Sequence, residues 1–265
     1  MSCCKGKTAL VTNASHATGG AAARALATAG ARVLAHDGRS TAKLESVVQE
    51  IRSAGGIAKS IIVDIAATQG PHLLARQTRE IVGDRLDILV VNASLREAVG
   101  SDVAIVETFD AQYAINIRAP FFLIQQLLLI LSPGSSIIFT LPPAAEATNA
   151  LPTCWSTADV FTQFVAHFAP LLKPRGIRVN AITVDAVATT ASRFAKSSAA
   201  LDGIPGPHAD NRLAVPEDIG TTIAFLASDE ARLITGQTVP ARFTKRRYSR
   251  RGKPVARRTG VSSHG

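Results

Sequence analysis

The sequence of 265 residues has few cysteines, no long apolar run and no secretion signal, and each shortage excludes a class of protein. Its three cysteines are Cys3, Cys4 and Cys154, whose spacing matches no metal site and no disulfide framework, so we expect reduced thiols. The longest apolar run, residues 119–131, is about half as long as a membrane-spanning helix requires. The first residues lack the charged and apolar series of a signal peptide. We therefore predict a cytoplasmic protein with no membrane partner.

The positive charge of the chain is concentrated at its end. Lysine and arginine number 29 and aspartate and glutamate number 20, which gives a net charge of +9. Residues 241–265 contain nine of the cations and no acid, so residues 1–240 hold 20 of each sign. This predicts a neutral domain over 1–240 and a basic, disordered tail over 241–265. Nucleic acid is a candidate partner of the tail, but residues 245–253 contain one aromatic, Tyr248, which favours a solvated terminus.

Short β-branched runs alternate with helical patterns along the neutral domain. Seven strand candidates separated by six helical connections predict a parallel sheet that is covered on both faces. The fold class is therefore α/β, a single doubly wound domain, and its ligands are expected at the carboxyl ends of the strands. The strand candidates are residues 8–12, 32–36, 60–63, 88–91, 137–140, 178–183 and 237–239, and the helix candidates are 19–29, 42–54, 72–82, 109–131, 157–172 and 216–227.

The turn after the first strand has the position of a nucleotide-binding loop but little of its glycine. Such loops need small residues for the tight bend and for close approach to the pyrophosphate. Residues 12–19 read TNASHATG, in which only Gly19 is a glycine. By itself this turn is better explained as an ordinary connection between a strand and a helix.

Several longer stretches resemble the short-chain dehydrogenase/reductase family, and within it the bacterial 3-oxoacyl-acyl-carrier-protein reductases. They occur in the family's order across residues 5–240. The resemblance implies a Rossmann-type sheet of about seven strands, a nicotinamide cofactor, and a homodimer or homotetramer paired through residues 109–131 and 157–172. The stretches are 6–12 (GKTALVT), 36–40 (HDGRS), 64–65 (DI), 87–93 (DILVVNA), Asn116 with 118–122 (RAPFF), 174–181 (PRGIRVNA), 225–229 (FLASD) and 234–236 (ITG).

The resemblance also assigns cofactor contacts. Two glycines of the family's loop are replaced by Asn13, which tolerates a positive φ, and by Ala17, whose methyl group is expected to weaken binding. Arg39 and Ser40 match a site for a 2′-phosphate and favour NADP, whereas Asp37 favours NAD, which stays open as the alternative. The implied cofactor-binding residues are Thr12, Ser15, Gly19, Arg39, Ser40, Asp64, Asn92 and Thr189.

The family's proton relay is largely replaced. In the family a tyrosine delivers the proton, a lysine four residues later lowers its pKa, and a serine and an asparagine complete the relay. Of these four positions only Asn116 keeps the family's residue, and the others are Pro142, Trp155 and Asp159. The two tyrosines elsewhere, Tyr113 and Tyr248, have no lysine at this spacing.

Three functions are compatible with this pattern. The first is an ancestral NADP-dependent oxidoreductase of carbonyl or hydroxyl groups that has become inactive or very weak. The second is a non-catalytic nucleotide-binding or scaffolding module that acts through its oligomer interface. The third is nucleic-acid binding through the basic tail, which deletion of residues 242–265 tests.

Overall fold

The computed structural model describes residues 3–39, 41–92, 106–141, 152–184 and 215–241, with the backbone alone for residues 108, 152–159, 184 and 241. The strands of these segments form one seven-stranded parallel sheet in the order β3-β2-β1-β4-β5-β6-β7. The strand order reverses between β1 and β4, which is where open α/β sheets bind ligands. The strands are β1 (Thr8–Val11), β2 (Arg32–Asp37), β3 (Ile57–Ile62), β4 (Leu86–Asn92), β5 (Leu131–Leu141), β6 (Arg178–Val184) and β7 (Thr238–Ala241).

Helices cover both faces of the sheet, as the alternating pattern predicts. Leu26, Leu44 and Ile223 lie in a core on one face, beneath α1, α2 and α7, and Leu74, Leu123 and Phe161 lie in a core on the other face, beneath α3, α5 and α6. The doubly wound fold is thereby confirmed. The helices are α1 (Ala17–Thr28), α2 (Thr41–Ser53), α3 (Gly70–Val82), α4 (Val106–Tyr113), α5 (Ala119–Leu127), α6 (Pro152–Leu172) and α7 (Pro216–Ala227).

The helix predicted over residues 109–131 is broken into three parts, and this prediction is wrong in its continuity. A π-helical segment, Ala114–Arg118, separates α4 from α5, and the N–H of Ala119 donates to the carbonyl of Ala114. Pro120 follows and has no N–H for the carbonyl of Asn116 four residues earlier, so the regular hydrogen-bond series cannot continue there. The last residue of the predicted helix, Leu131, instead begins β5.

Helices α1 and α7 approach each other unusually closely. A methyl group built on Gly220 of α7 would lie 2.5 Å from the carbonyl oxygen of Ala21 in α1. Ala21 and Ala22 are buried there, and their small side chains let the two backbones come together.

The remaining predictions, on the chain's end and on several loop residues, lie outside the described residues. These are the basic tail beyond Ala241, together with Ser40, Pro142 and Thr189. Within the described segments, no helix is long and apolar enough to cross a membrane.

Candidate functional site

The turn between β1 and α1 begins with a left-handed residue. Asn13 has φ of +50°, a conformation in which asparagine is among the least strained residues after glycine. The turn is attached to both neighbouring strands, because the N–H of Thr12 donates to the carbonyl of Val90 at 3.0 Å and the N–H of Ala14 to that of His36 at 2.8 Å. Asn13 therefore adopts a positive φ of the kind that asparagine tolerates better than most residues.

Two asparagines join the carboxyl ends of β1 and β4. The Nδ2 of Asn13 donates to the carbonyl of Asn92 at 2.7 Å, and the Nδ2 of Asn92 donates to the carbonyl of Asn13 at 3.3 Å. The N–H of Asn92 donates to Oγ1 of Thr12 at 3.0 Å, and the hydroxyl of Thr140 donates to Oδ1 of Asn92 at 2.5 Å. All four residues are buried, so the turn is held by hydrogen bonds that water does not replace.

Gly19 is required by the close crossing of α1 over the turn. A Cβ at this position would lie 2.4 Å from the carbonyl oxygen of Asn13 and 3.0 Å from Nδ2 of Asn92. No real side chain is accommodated at the first distance without moving the backbone. Gly19 therefore couples the start of α1 to both asparagines.

The start of α1 has the donors that an anion needs. His16 is the N-cap and its side chain does not cap the helix, while the first helical residues are Ala17, Thr18 and Gly19. The first amide N–H groups of a helix have no partner within the helix and attract negative charge. Ala17 is exposed. The N–H of Gly20, the fourth residue of the helix, donates to the carbonyl of His16 at 2.7 Å and is the first N–H with a partner in the helical series. The donor set and the neutral first turn fit a pyrophosphate.

The end of β2 carries a buried carboxylate. Asp37 has 6% of its side chain exposed and accepts hydrogen bonds from the hydroxyl of Ser15 and from the N–H of Arg39, the latter at 2.9 Å. The Nδ1 atom of His16 lies 3.8 Å from Oδ2 of Asp37. The Arg39 side chain is 68% exposed, and its NH2 group lies 3.9 Å from Oδ2 of Asp64. A guanidinium is thus presented to solvent while the neighbouring acid is turned inward.

His36 lies fully buried one residue before this carboxylate. Its Nε2 atom lies 2.8 Å from the carbonyl oxygen of Val63, which requires that Nε2 carry the proton and donate it. The Nδ1 atom is buried and has no hydrogen-bond partner among the described residues. Burial lowers the pKa of His36 below its ordinary value of 6.5. The His36 ring is therefore neutral, and it lies buried near the carboxyl end of β2.

Asn116 occupies the π-helical segment between α4 and α5. It is buried, and its Nδ2 donates to Oε1 of Gln112 at 2.9 Å. Nearby, the guanidinium of Arg118 donates to the carbonyl of Ala66, in the loop that follows β3. The segment that carries Asn116 is thereby connected to the loop that contains Asp64.

The structure brings several of the predicted cofactor-binding residues together at the ends of the strands, but it does not describe the side chains at two of the predicted relay positions. Thr12, Gly19 and Asn92 meet where β1 and β4 end. Ser15 contacts Asp37 at the end of β2, and Arg39 and Asp64 lie beside each other across the ends of β2 and β3. Trp155 and Asp159 belong to α6, but their side chains are outside the described set. Sequence reasoning missed Thr140, which is paired in register with Asn92. A hydroxyl at the end of the otherwise apolar predicted strand 137–140 was the available signal.

Among the described side chains, no group of three or more His, Cys, Asp or Glu residues could hold a metal ion.

Comparisons with known proteins agree on the family. A family profile described as enoyl-(acyl carrier protein) reductase matches residues 14–241. An uncharacterised oxidoreductase of Methylorubrum extorquens is 31% identical over 245 residues, which cover 91% of this chain and 98% of the relative. The chain belongs to the short-chain dehydrogenase/reductase family, as its motifs predict.

Solved structures of the family superpose well on this fold. The angucycline C-6 ketoreductase LanV with bound NADP has a TM-score of 0.78 and 29% identity, covering 89% of this chain and 94% of the other. A short-chain dehydrogenase from Burkholderia cenocepacia in complex with NADP has a TM-score of 0.77 and 26% identity, covering 89% and 96%. Each supports the same seven-stranded architecture.

Proposed function

We propose that this protein binds NADP at the carboxyl ends of β1 and β2 and is inactive, or nearly so, as an oxidoreductase. The observation that carries the binding part is the intact turn: Asn13 replaces a glycine without losing its conformation, and Gly19 keeps α1 in close contact with it. The inactive part rests on residue types, because three of the four relay positions hold Pro142, Trp155 and Asp159.

The preference for NADP over NAD is supported by the charges at the end of β2. An acid at this place normally accepts hydrogen bonds from the ribose hydroxyls of NAD and repels a 2′-phosphate. Here Asp37 already accepts two hydrogen bonds from the protein and is buried, whereas the guanidinium of Arg39 is exposed. Two structural neighbours were solved with NADP, which agrees with the same choice.

When bound, NADP would supply or accept a hydride, and the protein would have to move the matching proton. An indole N–H such as that of Trp155 does not ionise in a useful range, and proline has neither a hydroxyl nor an N–H. The carboxylate of Asp159 opposes the lowering of a neighbour's pKa that a lysine gives. These residue types leave proton delivery without its donor, and the amide of Asn116 cannot replace it.

A nucleotide titration tests the binding proposal. Trp155 is the only tryptophan, so its fluorescence reports binding of NADPH or NADH, and calorimetry gives the affinities independently. We expect NADPH to bind more tightly than NADH. Arg39→Ala should weaken NADPH binding by about tenfold or more, since a charge-assisted hydrogen bond contributes roughly 1.5–3 kcal/mol.

The matched control for Arg39 is Arg76→Ala, which removes an exposed arginine from α3 and should leave both affinities unchanged. Failure of the wild-type chain to bind NADPH would contradict the proposal. For the inactive part, NADPH oxidation is followed with a panel of ketones, and the triple variant P142S/W155Y/D159K is compared with the wild type. Turnover by the wild type at a rate typical of enzymes would overturn it.

A scaffolding role is the second candidate, and exposed aromatic side chains favour it. Phe109 and Tyr113 of α4 are 46% and 49% exposed, with ring centroids 6.4 Å apart, and Phe121 and Phe122 of α5 are also partly exposed. Aromatic surface of this kind is typical of protein interfaces. A homodimer or homotetramer that binds neither NADPH nor NADH would favour this role over the first.

A further inference from the structure

We infer that Ser15 is a positioning residue that makes the site select NADP over NAD by holding the Asp37 carboxylate inward. The inference rests on the proposed function, since it presupposes that the turn and the end of β2 bind a nicotinamide dinucleotide. It assigns Ser15 a role that acts through another side chain rather than through the nucleotide.

The Asp37 carboxylate has both oxygens engaged by the protein. Oδ2 accepts the hydroxyl proton of Ser15, and Oδ1 accepts the N–H of Arg39 at 2.9 Å. With 6% of the side chain exposed, this carboxylate is poorly placed to accept hydrogen bonds from ribose hydroxyls. Asp37 favours NAD by its residue type, but Ser15, in the turn after β1, holds its carboxylate away from the ribose.

The backbone fixes the distance across which Ser15 reaches Asp37. Strands β1 and β2 pair in register up to Val11 and Ala35, and beyond that point the N–H of Ala14 donates to the carbonyl of His36 at 2.8 Å. Ser15 and Asp37 are the next residues on each side of this hydrogen bond. Their contact is thus set by the sheet, and it does not depend on a bound ligand.

Loss of the Ser15 hydroxyl would remove the hydrogen bond that holds the negative charge of Asp37 away from the guanidinium of Arg39. A buried carboxylate oxygen without its donor is costly, so the side chain is expected to turn toward solvent. There it would face the guanidinium of Arg39, which already has Asp64 within 3.9 Å, and the ring of His16. A second acid beside Arg39 would oppose a 2′-phosphate and would offer acceptors to the ribose hydroxyls of NAD.

The experiment measures dissociation constants for NADPH and NADH at one pH and ionic strength in four variants. Ser15→Ala should lower the NADPH-to-NADH affinity ratio by about tenfold or more, which corresponds to about 1.4 kcal/mol. Ser15→Thr keeps the hydroxyl and should retain the wild-type ratio. In an Asp37→Ala background, the further change Ser15→Ala should leave the ratio unaltered, because the group that Ser15 positions is gone.

Each other outcome overturns the inference. An unchanged ratio in Ser15→Ala, with both nucleotides still bound, refutes it and leaves the proposed function intact. An equal drop in the Asp37→Ala background means that Ser15 acts on the nucleotide directly. A wild-type chain that binds neither nucleotide refutes the proposed function, and this inference with it. If Ser15→Ala does not fold by circular dichroism, Ser15→Cys, with its weaker donor, carries the same expectation.

Discussion

At the scale of single residues, His36 makes the stability of the protein depend on pH. Its ring is fully buried, and burial lowers its pKa below the ordinary value of 6.5. Near and below that value His36 binds a proton in the unfolded chain, whereas it stays neutral in the folded chain. The free energy of unfolding therefore falls as the pH drops below about 6.5, and the contribution is fully present above it.

We expect the variant His36→Gln to remove this part of the pH dependence. A glutamine amide can still donate to the carbonyl of Val63, but it does not titrate. Urea unfolding between pH 5 and pH 8 would show a shallower decline than that of the wild type, whose slope from one proton is at most about 1.4 kcal/mol per pH unit. His72→Gln, at an exposed position of α3, is the control. If the free energies of unfolding of the wild type and of His36→Gln depend on pH in the same way, the prediction is contradicted.

Residue types predicted part of the site, and contacts between distant residues completed it. Gly19 and Asn13 were identifiable because a tight turn demands a flexible residue and a left-handed one. The hydrogen bond from Ser15 to Asp37 was not, because it joins residues 22 apart whose separation is set by the pairing of β1 with β2. By residue type Asp37 favours NAD and Arg39 favours NADP, and the hydrogen bonds that hold the Asp37 carboxylate inward were not visible in the sequence.

At the scale of elements, the crossing of α1 and α7 depends on the absence of one methyl group. Gly220→Ala would place a Cβ 2.5 Å from the carbonyl oxygen of Ala21, so one helix has to move. We expect a loss of about 1–3 kcal/mol, as is typical of overpacking, measured as a lower urea midpoint with an unchanged slope. Thr221→Ala changes the next residue, on the exposed side of α7, and serves as the control. Equal midpoints for Gly220→Ala and the wild type would contradict the close packing.

Elements with clear end signals were predicted best. The helix Pro216–Ala227 agrees with its prediction at both ends, because proline and two acids mark its first turn. The strand Leu131–Leu141 begins six residues before its predicted start. The prediction placed the start too late because Pro133 and Gly134 are typical of a turn. Neighbouring backbone overrides that tendency: the N–H of Gly134 donates to the carbonyl of Gly176 at 2.9 Å.

At the scale of the whole molecule, the aromatic surface of α4 predicts self-association. We expect the double variant Phe109→Ser/Tyr113→Ser to weaken association at least about tenfold, since buried aromatic rings dominate interface energies. Sedimentation velocity over a range of concentrations measures it. Leu233→Ser is the control, because Leu233 is an apolar residue that is 87% exposed and lies on a different segment, between α7 and β7. A wild-type chain that stays monomeric at every concentration would contradict the prediction.

The overall architecture could be predicted because it repeats. Seven strand patterns that alternate with six helical patterns admit few arrangements other than a doubly wound parallel sheet, and the observed strand order is one of them. The basic tail has no such pattern, so its role stays a prediction.

The pair of asparagines at the ends of β1 and β4 makes positions 13 and 92 depend on each other. Each side-chain amide donates to the other residue's backbone carbonyl. A change of Asn13 to glycine would keep the left-handed conformation and lose the donor to Asn92, while a change at Asn92 would leave the carbonyl of Asn13 with one donor fewer. The departure from the glycine motif therefore adds a hydrogen bond between the ends of β1 and β4 that a glycine at position 13 could not make.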